Sequence, residues 1–324
     1  MDDRIVNIRA LAAIMVVIVH CAAQEFAVLT PSWWIIDIIA SAVRPCVPLF
    51  FMISGYLLLD KDIGSADFIS KRIGRVLYPA LFWSVFYAFF IAAYNKRLPS
   101  PDEIFNALIT PSMYHLWYLF FAVGIYMTIP LLTPWFRSSS KMDRWLYFII
   151  FSSCMSASLT KVGSQIINEY YGMMFVSYFY FFIIGAMFKK GDFDWIVKRK
   201  SISIIAYIAI TLFISYLTYQ DSVAIGTGSQ LYFTYTSPLV IIQSISIFTF
   251  MFSLRFKSIV LDAISSNSLG LYGAHVAMII ILAPIVRYVE NDLLRFAIML
   301  VSVIASTILI VSALRNIKIL RNIM

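Results

Sequence analysis

Apolar residues in this chain come in long runs rather than in alternation. Nearly uninterrupted apolar stretches lie near 8–27, 45–59, 76–94, 114–134, 145–160, 170–188, 202–219, 232–253, 268–289 and 293–314, and an apolar lead-in from Trp33 precedes the second. Each approaches the ~20 residues that carry a helix across a bilayer core. A barrel strand would run ~10 residues with alternating polarity, whereas these runs are apolar all round. The pattern predicts an all-α polytopic integral membrane protein of about ten transmembrane helices, a form in which every helix satisfies its own backbone in lipid. The 45–59 run is short, and the 145–160 run is weakly bounded. No connecting segment is long enough for a separate soluble domain, so residues 1–324 read as a single membrane domain. Between Ser100 and Thr110, Asp102 and Glu103 come early, and Ile104, Leu108 and Ile109 are spaced like one helix face. This predicts a helix lying along the membrane surface.

Composition removes the soluble alternatives. Apolar and aromatic residues make up 61% and charged residues 13%, against roughly 45–50% and about 25% in soluble domains. The 3 cysteines, Cys21, Cys46 and Cys154, each sit in an apolar run and make no disulfide framework. The net charge of +8 falls in short clusters between the runs, not in a basic stripe, which argues against nucleic acid. With a cytoplasmic N-terminus, 19 of the 25 Lys and Arg fall on the cytoplasmic side. The other 6 are Arg44, Lys96, Arg97, Lys161, Arg287 and Arg295. This positive-inside bias also places the C-terminus in the cytoplasm and supports an even number of spans. Asp2, Asp3 and His20 spoil a signal peptide, so the first run reads as a retained helix.

Ionisable groups in membrane helices are costly and mark function by default. Arg9 and His20 are 11 residues apart in the first run. At ~100° per residue this is three turns plus ~20°, so both share one face, ~16 Å apart along the axis. A snorkelling Arg9 with a His20 bonded to a neighbouring helix fits the same spacing. Arg72 and Arg75 open the third run, three apart and therefore neighbours on a helix. With Arg9 they supply three guanidinium groups able to grip phosphates, although positive-inside topology also accounts for them. His115 opens His-Leu-Trp-Tyr, a fitting place for an interfacial belt residue. His275 follows Tyr272 by three, as in a packed polar pair. None of the 17 Asp and Glu sits centrally in a run, where a proton- or cation-coupled transporter usually carries one. There is no phosphate-binding Gly-rich loop, no Gly-x-Ser-x-Gly elbow and no zinc spacing, so no metal is expected.

The same residues occur in a recognisable order. From Arg4 to about Val311 the sequence resembles the membrane acyltransferase 3 family, which O-acylates cell-surface glycans. Arg9-x10-His20 is similar to the family's first-helix signature. Val47-Pro48-Leu49-Phe50-Phe51-Met52-Ile53-Ser54-Gly55-Tyr56, preceded by Arg44, resembles its second-helix motif. The segment Phe68 to Pro79 resembles its basic approach to the third helix. His115-Leu116-Trp117-Tyr118-Leu119 and the late Tyr272-x-x-His275 complete the set. Each motif is weak alone, and five in order on ten spans are specific.

The resemblance implies a single-domain acyltransferase of a bacterial inner membrane, without the esterase-like domain that many members carry after the last helix. It implies acetyl-CoA as donor and a sugar hydroxyl of a lipid-linked polysaccharide as acceptor. O-antigen is the first expectation, and enterobacterial common antigen or another surface glycan the next. Arg9, Arg72 and Arg75 would hold the CoA phosphates, and His20 would act as general base or as a transient acetyl carrier. Ser54, Tyr56 and Tyr272 are candidate oxyanion partners. Arg44 and Asp37 would bind the acceptor, or pair with each other; His115, Trp117 and His275 would line the site. The rival class is a transporter or flippase of a lipid-linked glycan.

Overall fold

Helix α1 (Asp3–Glu25) runs through the middle of the molecule. Buried residues surround it on all sides, from Ile5 and Ile8 to Cys21 and Ala22, as expected of a helix without a polar face. Asp2 caps it by accepting from the Arg4 amide at 3.1 Å. The Arg4 guanidinium bonded to Asp2 also holds that carboxyl below the usual carboxylate range. The computed structural model describes residues 2–61, 65–68, 73–156, 171–318, 320 and 323.

Around α1 stand α2 (Trp33–Ala42), α3 (Cys46–Leu58), α4 (Gly74–Tyr94), α5 (Pro101–Ile109), α6 (Trp117–Ser138) and α7 (Lys141–Ser156). They are followed by α8 (Tyr171–Lys189), α9 (Lys200–Ile225), α10 (Pro238–Ser253), α11 (Ile259–Ser266), α12 (Ser268–Val286) and α13 (Asp292–Leu314). Among the described residues there is no strand. Within those residues seven helical segments are long and apolar enough to cross a membrane: α1, α2 with α3, α4, α5 with α6, α9, α12 and α13. Tyr178–Lys189 of α8 and the whole of α10 are shorter apolar helices.

The runs read from sequence differ from these helices where the backbone turns. The second run and its lead-in break at Val43–Pro45, because proline supplies no amide to continue α2. The run at 232–253 becomes a helix only at Pro238, after a single 3-10 turn at Leu231–Phe233. The ends of the 145–160 and 170–188 runs that face each other lie outside the described residues. Helix α5 is the expected amphipathic piece. Ser100 and Glu103 close a capping box, and Phe105, Leu108 and Ile109 are exposed.

Two contacts fix the frame of the site. Helices α3 and α8 touch backbone to backbone: a Cβ on Gly55 would strike the Phe182 carbonyl, and one on Gly185 the Met52 carbonyl. Small residues permit such approaches in membranes. On the other side, Gly273 of α12 leaves room for the Trp83 indole of α4. The Tyr87 hydroxyl of α4 donates to the Gly273 carbonyl at 2.8 Å and accepts from the Ala277 amide at 2.9 Å. Those two groups would otherwise bond to each other in the i→i−4 ladder. Tyr87 therefore enters α12 around His275.

Candidate active site

The 3 histidines of the chain meet at one point. His20 comes from the C-terminal half of α1 and His275 from the middle of α12. His115 comes from the 3-10 turn Tyr114–Leu116 that leads into α6. Ring centroids are 5.1 Å apart for His20 and His275, 5.1 Å for His115 and His275, and 6.2 Å for His20 and His115. The Tyr114 ring lies 5.3 Å from that of His20, and the Tyr87 ring 5.1 Å from that of His115.

The backbone sets the tautomer of His275. Its Nδ1 lies 2.7 Å from the Tyr272 carbonyl oxygen and 3.1 Å from that of Leu271. Carbonyls only accept, so Nδ1 carries the proton and Nε2 of the neutral ring is a bare lone pair. That Nε2 is buried without a hydrogen-bond partner, as are both ring nitrogens of His115. His115 is held through its main chain instead, because the Tyr272 hydroxyl donates to its carbonyl. The cluster can take up a proton at His20 and offer an acceptor at His275, the arrangement of a base oriented by a second group.

Two cavities lie along α1, one reaching His20 of the cluster and the other ending at Tyr272 beside it. One, of about 560 Å³, is lined by Arg9, Lys61 and Arg75 and by Ser54, Tyr118, Tyr126 and Tyr272. The other, of about 440 Å³, is lined by His20, Arg44 and Tyr114 and by Tyr178, Gln230, Phe233, Thr234 and Tyr235. Arg9 and His20 thus share a stripe of α1 but face different chambers. The wall between them is thin. Tyr272 lines the first chamber, its ring is 6.1 Å from that of His275, and His275 touches His20, which lines the second.

Other residues singled out in the sequence separate. Ser54 lines the Arg9 chamber and shares a hydrogen bond with the Tyr126 hydroxyl at 3.1 Å. Tyr56 does not reach it: its hydroxyl donates to Asp2 at 3.3 Å. Trp117 packs beside the second chamber, on Tyr178 at 5.1 Å and Tyr235 at 6.3 Å. Asp37 is fully buried away from both chambers, accepting from Ser215 at 2.6 Å and Ser41 at 3.5 Å. It makes no ion pair with Arg44. Arg44 instead donates through Nε to the Ala40 carbonyl at 2.8 Å and lies 3.9 Å over the Phe233 ring. Arg72 lies outside the described residues; Arg75, three positions on, is exposed at the mouth of the first chamber.

Sequence reading missed Tyr87, Tyr114, Tyr126, Tyr178 and the Gln230–Tyr235 loop. Tyr114 had a signal, its place beside His115; the others are aromatic or polar residues in apolar surroundings, with nothing local to mark them. Among the described residues no group of His, Cys, Asp or Glu is arranged to hold a metal ion. A family model described as an acyltransferase domain matches residues 3–314. No curated protein and no solved structure matches the chain.

Proposed function

The chain belongs to the acyltransferase 3 family and is an acyltransferase, and on that premise we propose that it moves the acetyl group of acetyl-CoA onto a sugar hydroxyl of a lipid-linked surface polysaccharide, O-antigen first among the acceptors. In this reading it sits in a bacterial inner membrane with about ten crossings and with both termini in the cytoplasm, an orientation that the Lys and Arg distribution supports. The observation that carries the reading is the pair of chambers on α1, one holding Arg9 and the other His20, with a wall one ring thick between them.

Acetyl-CoA enters the Arg9 chamber. Its fit rests on the donor set: Arg9, Arg75 and Lys61 bring three cations to a chamber otherwise lined by aliphatic and aromatic side chains. The cations hold the phosphates, and Arg72, from its place in the sequence, joins them. The apolar walls take the pantetheine arm toward Tyr272. The acceptor enters the His20 chamber, whose aromatic rings suit the apolar faces of a sugar and whose Gln230 and Thr234 suit its hydroxyls.

The reaction takes place at the histidines. His20 removes the proton of the acceptor hydroxyl while that oxygen attacks the thioester carbonyl. A C–O bond forms, the C–S bond breaks, and the proton passes to the departing thiolate to give the free thiol. With the acceptor bound, the second nitrogen of His20 would turn to donate to His275 Nε2, which has no other partner, and so aim the reactive lone pair at the hydroxyl. Of the three hydroxyls considered for the oxyanion, that of Tyr272 stands at the cluster but would first have to release the His115 carbonyl to which it donates, while Ser54 lines the donor chamber and Tyr56 is bonded to Asp2.

Sidedness tests this. Inside-out vesicles given radiolabelled acetyl-CoA should transfer label to glycolipid, and right-side-out vesicles should not. Equal labelling in both would contradict the proposal.

A further inference from the structure

Arg44 makes no ion pair in the second chamber; the carboxylate of Asp37 acts on it only at a distance. Its Nε is bonded to the Ala40 carbonyl and its plane covers the Phe233 ring, while its terminal amines have no hydrogen-bond partner among the described residues. The two oxygens of Asp37 are taken by Ser215 and Ser41. Among the described residues no acidic one lines the chamber, and Arg44 is the only fixed charge there.

The protein holds this guanidinium in place with care. The Tyr207 hydroxyl donates to the Ala42 carbonyl at 2.7 Å, and Gln243 donates to the Ser41 carbonyl at 3.0 Å and to Thr211 at 2.7 Å. Helices α9 and α10 thereby anchor the end of α2, and the stack on Phe233 fixes the plane of the fork. A half-buried charge held rigid and unpaired costs stability unless something neutralises it. A guanidinium with two free donors in one plane matches a carboxylate or phosphate bidentately.

We propose that the His20 chamber binds an anionic group of the acceptor, a carboxylate or a phosphate, on the free edge of Arg44, so that the lipid-linked acceptor it selects is an anionic one. Resting on the assignment of this chamber to the acceptor, the proposal adds a substrate class. The anion has two sources of the same chemistry: a uronic acid carboxylate within the sugar chain, or a phosphate of its lipid carrier.

The test is thermal unfolding of the purified full chain in detergent at matched ionic strength, with sodium glucuronate, neutral glucuronamide or inorganic phosphate as probes. A ligand bound to the folded state raises the midpoint, by roughly 2 °C at a few-fold excess over its Kd. Glucuronate should raise it and glucuronamide should not. The shift should vanish in Arg44→Gln, persist at reduced size in Arg44→Lys, and persist in His20→Ala. Thr234→Glu, which adds a carboxylate at an exposed position of the same chamber, should also abolish it, and serves if Arg44→Gln fails to accumulate. A phosphate shift lost in Arg44→Gln but kept in Arg9→Gln would assign the anion to the lipid carrier. Absence of any anion shift in the wild type, or a shift unaffected by both chamber variants, overturns the proposal. Because no turnover is measured, failure of acetyl transfer and failure of anion binding are separate results.

Discussion

The Nδ1 nitrogen of His275 lies 2.7 Å from the carbonyl oxygen of Tyr272, one helical turn back on α12. With Nδ1 holding the proton, Nε2 is the acceptor of that ring, which stands 5.1 Å from the ring of His20. His275→Ala should therefore lower kcat by about 10²-fold, the lower end of what a positioned acid–base partner supplies, and leave the KM for acetyl-CoA unchanged. His275→Gln, which keeps an acceptor oxygen near the Nε2 position, should recover part of the loss. Steady-state kinetics on the two variants check this; equal losses would show that packing alone matters.

Arg9 faces the other chamber, away from the histidines. Arg9→Ala removes charge-assisted hydrogen bonds worth about 1.5–3 kcal/mol each, so the affinity for acetyl-CoA should fall by at least ~10-fold. Calorimetric titration of the purified variant with CoA reads this directly. Unchanged donor affinity would remove Arg9 from phosphate binding.

The α3–α8 crossing is the tightest packing around the site. Gly55→Ala and Gly185→Ala each push a methyl into the facing carbonyl, which forces the helices apart. Each should destabilise the fold by about 1–3 kcal/mol or more, visible as a lower unfolding midpoint in detergent. A midpoint equal to wild type would mean that the helices do not pack this closely.

On the N-terminal side of the bundle, Arg144 grips Asp192 with two hydrogen bonds of 2.6 and 2.9 Å, both side chains being buried. The bonds to Asp192 raise the guanidinium further above its ordinary pKa. Removing one partner strands the other, so Arg144→Ala should cost about 3 kcal/mol. The double variant Arg144→Met with Asp192→Leu, which removes both charges, should be closer to wild type than either single change. Additive losses in the double-variant cycle would argue against a coupled pair.

The sequence carried the parts of this site that obey one helix's periodicity. Arg9 and His20 could be placed on one stripe because 3.6 residues per turn fixes their angle. The same rule separates Ser54 from Tyr56: two residues apart is ~200° of rotation, so of the two Ser54 faces the Arg9 chamber. Asp37 and Arg44, seven apart, would share a face in an unbroken helix, but α2 ends at Ala42 and the turn carries Arg44 to the chamber. What lay beyond the sequence was convergence. His115 reaches His275 because Gly273 lets α12 settle onto Trp83 while Tyr87 enters its ladder. Phe233 meets Arg44 from a segment far along the chain. Such contacts depend on how helices cross, which no local pattern states.

The central claim is that His20 performs acetyl transfer to a surface glycan. It is tested most directly in cells lacking this protein, complemented with wild type or His20→Ala at equal membrane level. The lipopolysaccharide and common antigen are then extracted and read for O-acetyl protons by NMR before and after mild alkali. An alkali-labile acetyl signal is expected with wild type and none with His20→Ala. The same acetyl signal in both strains, or glycan export lost without any acetyl difference, would contradict it.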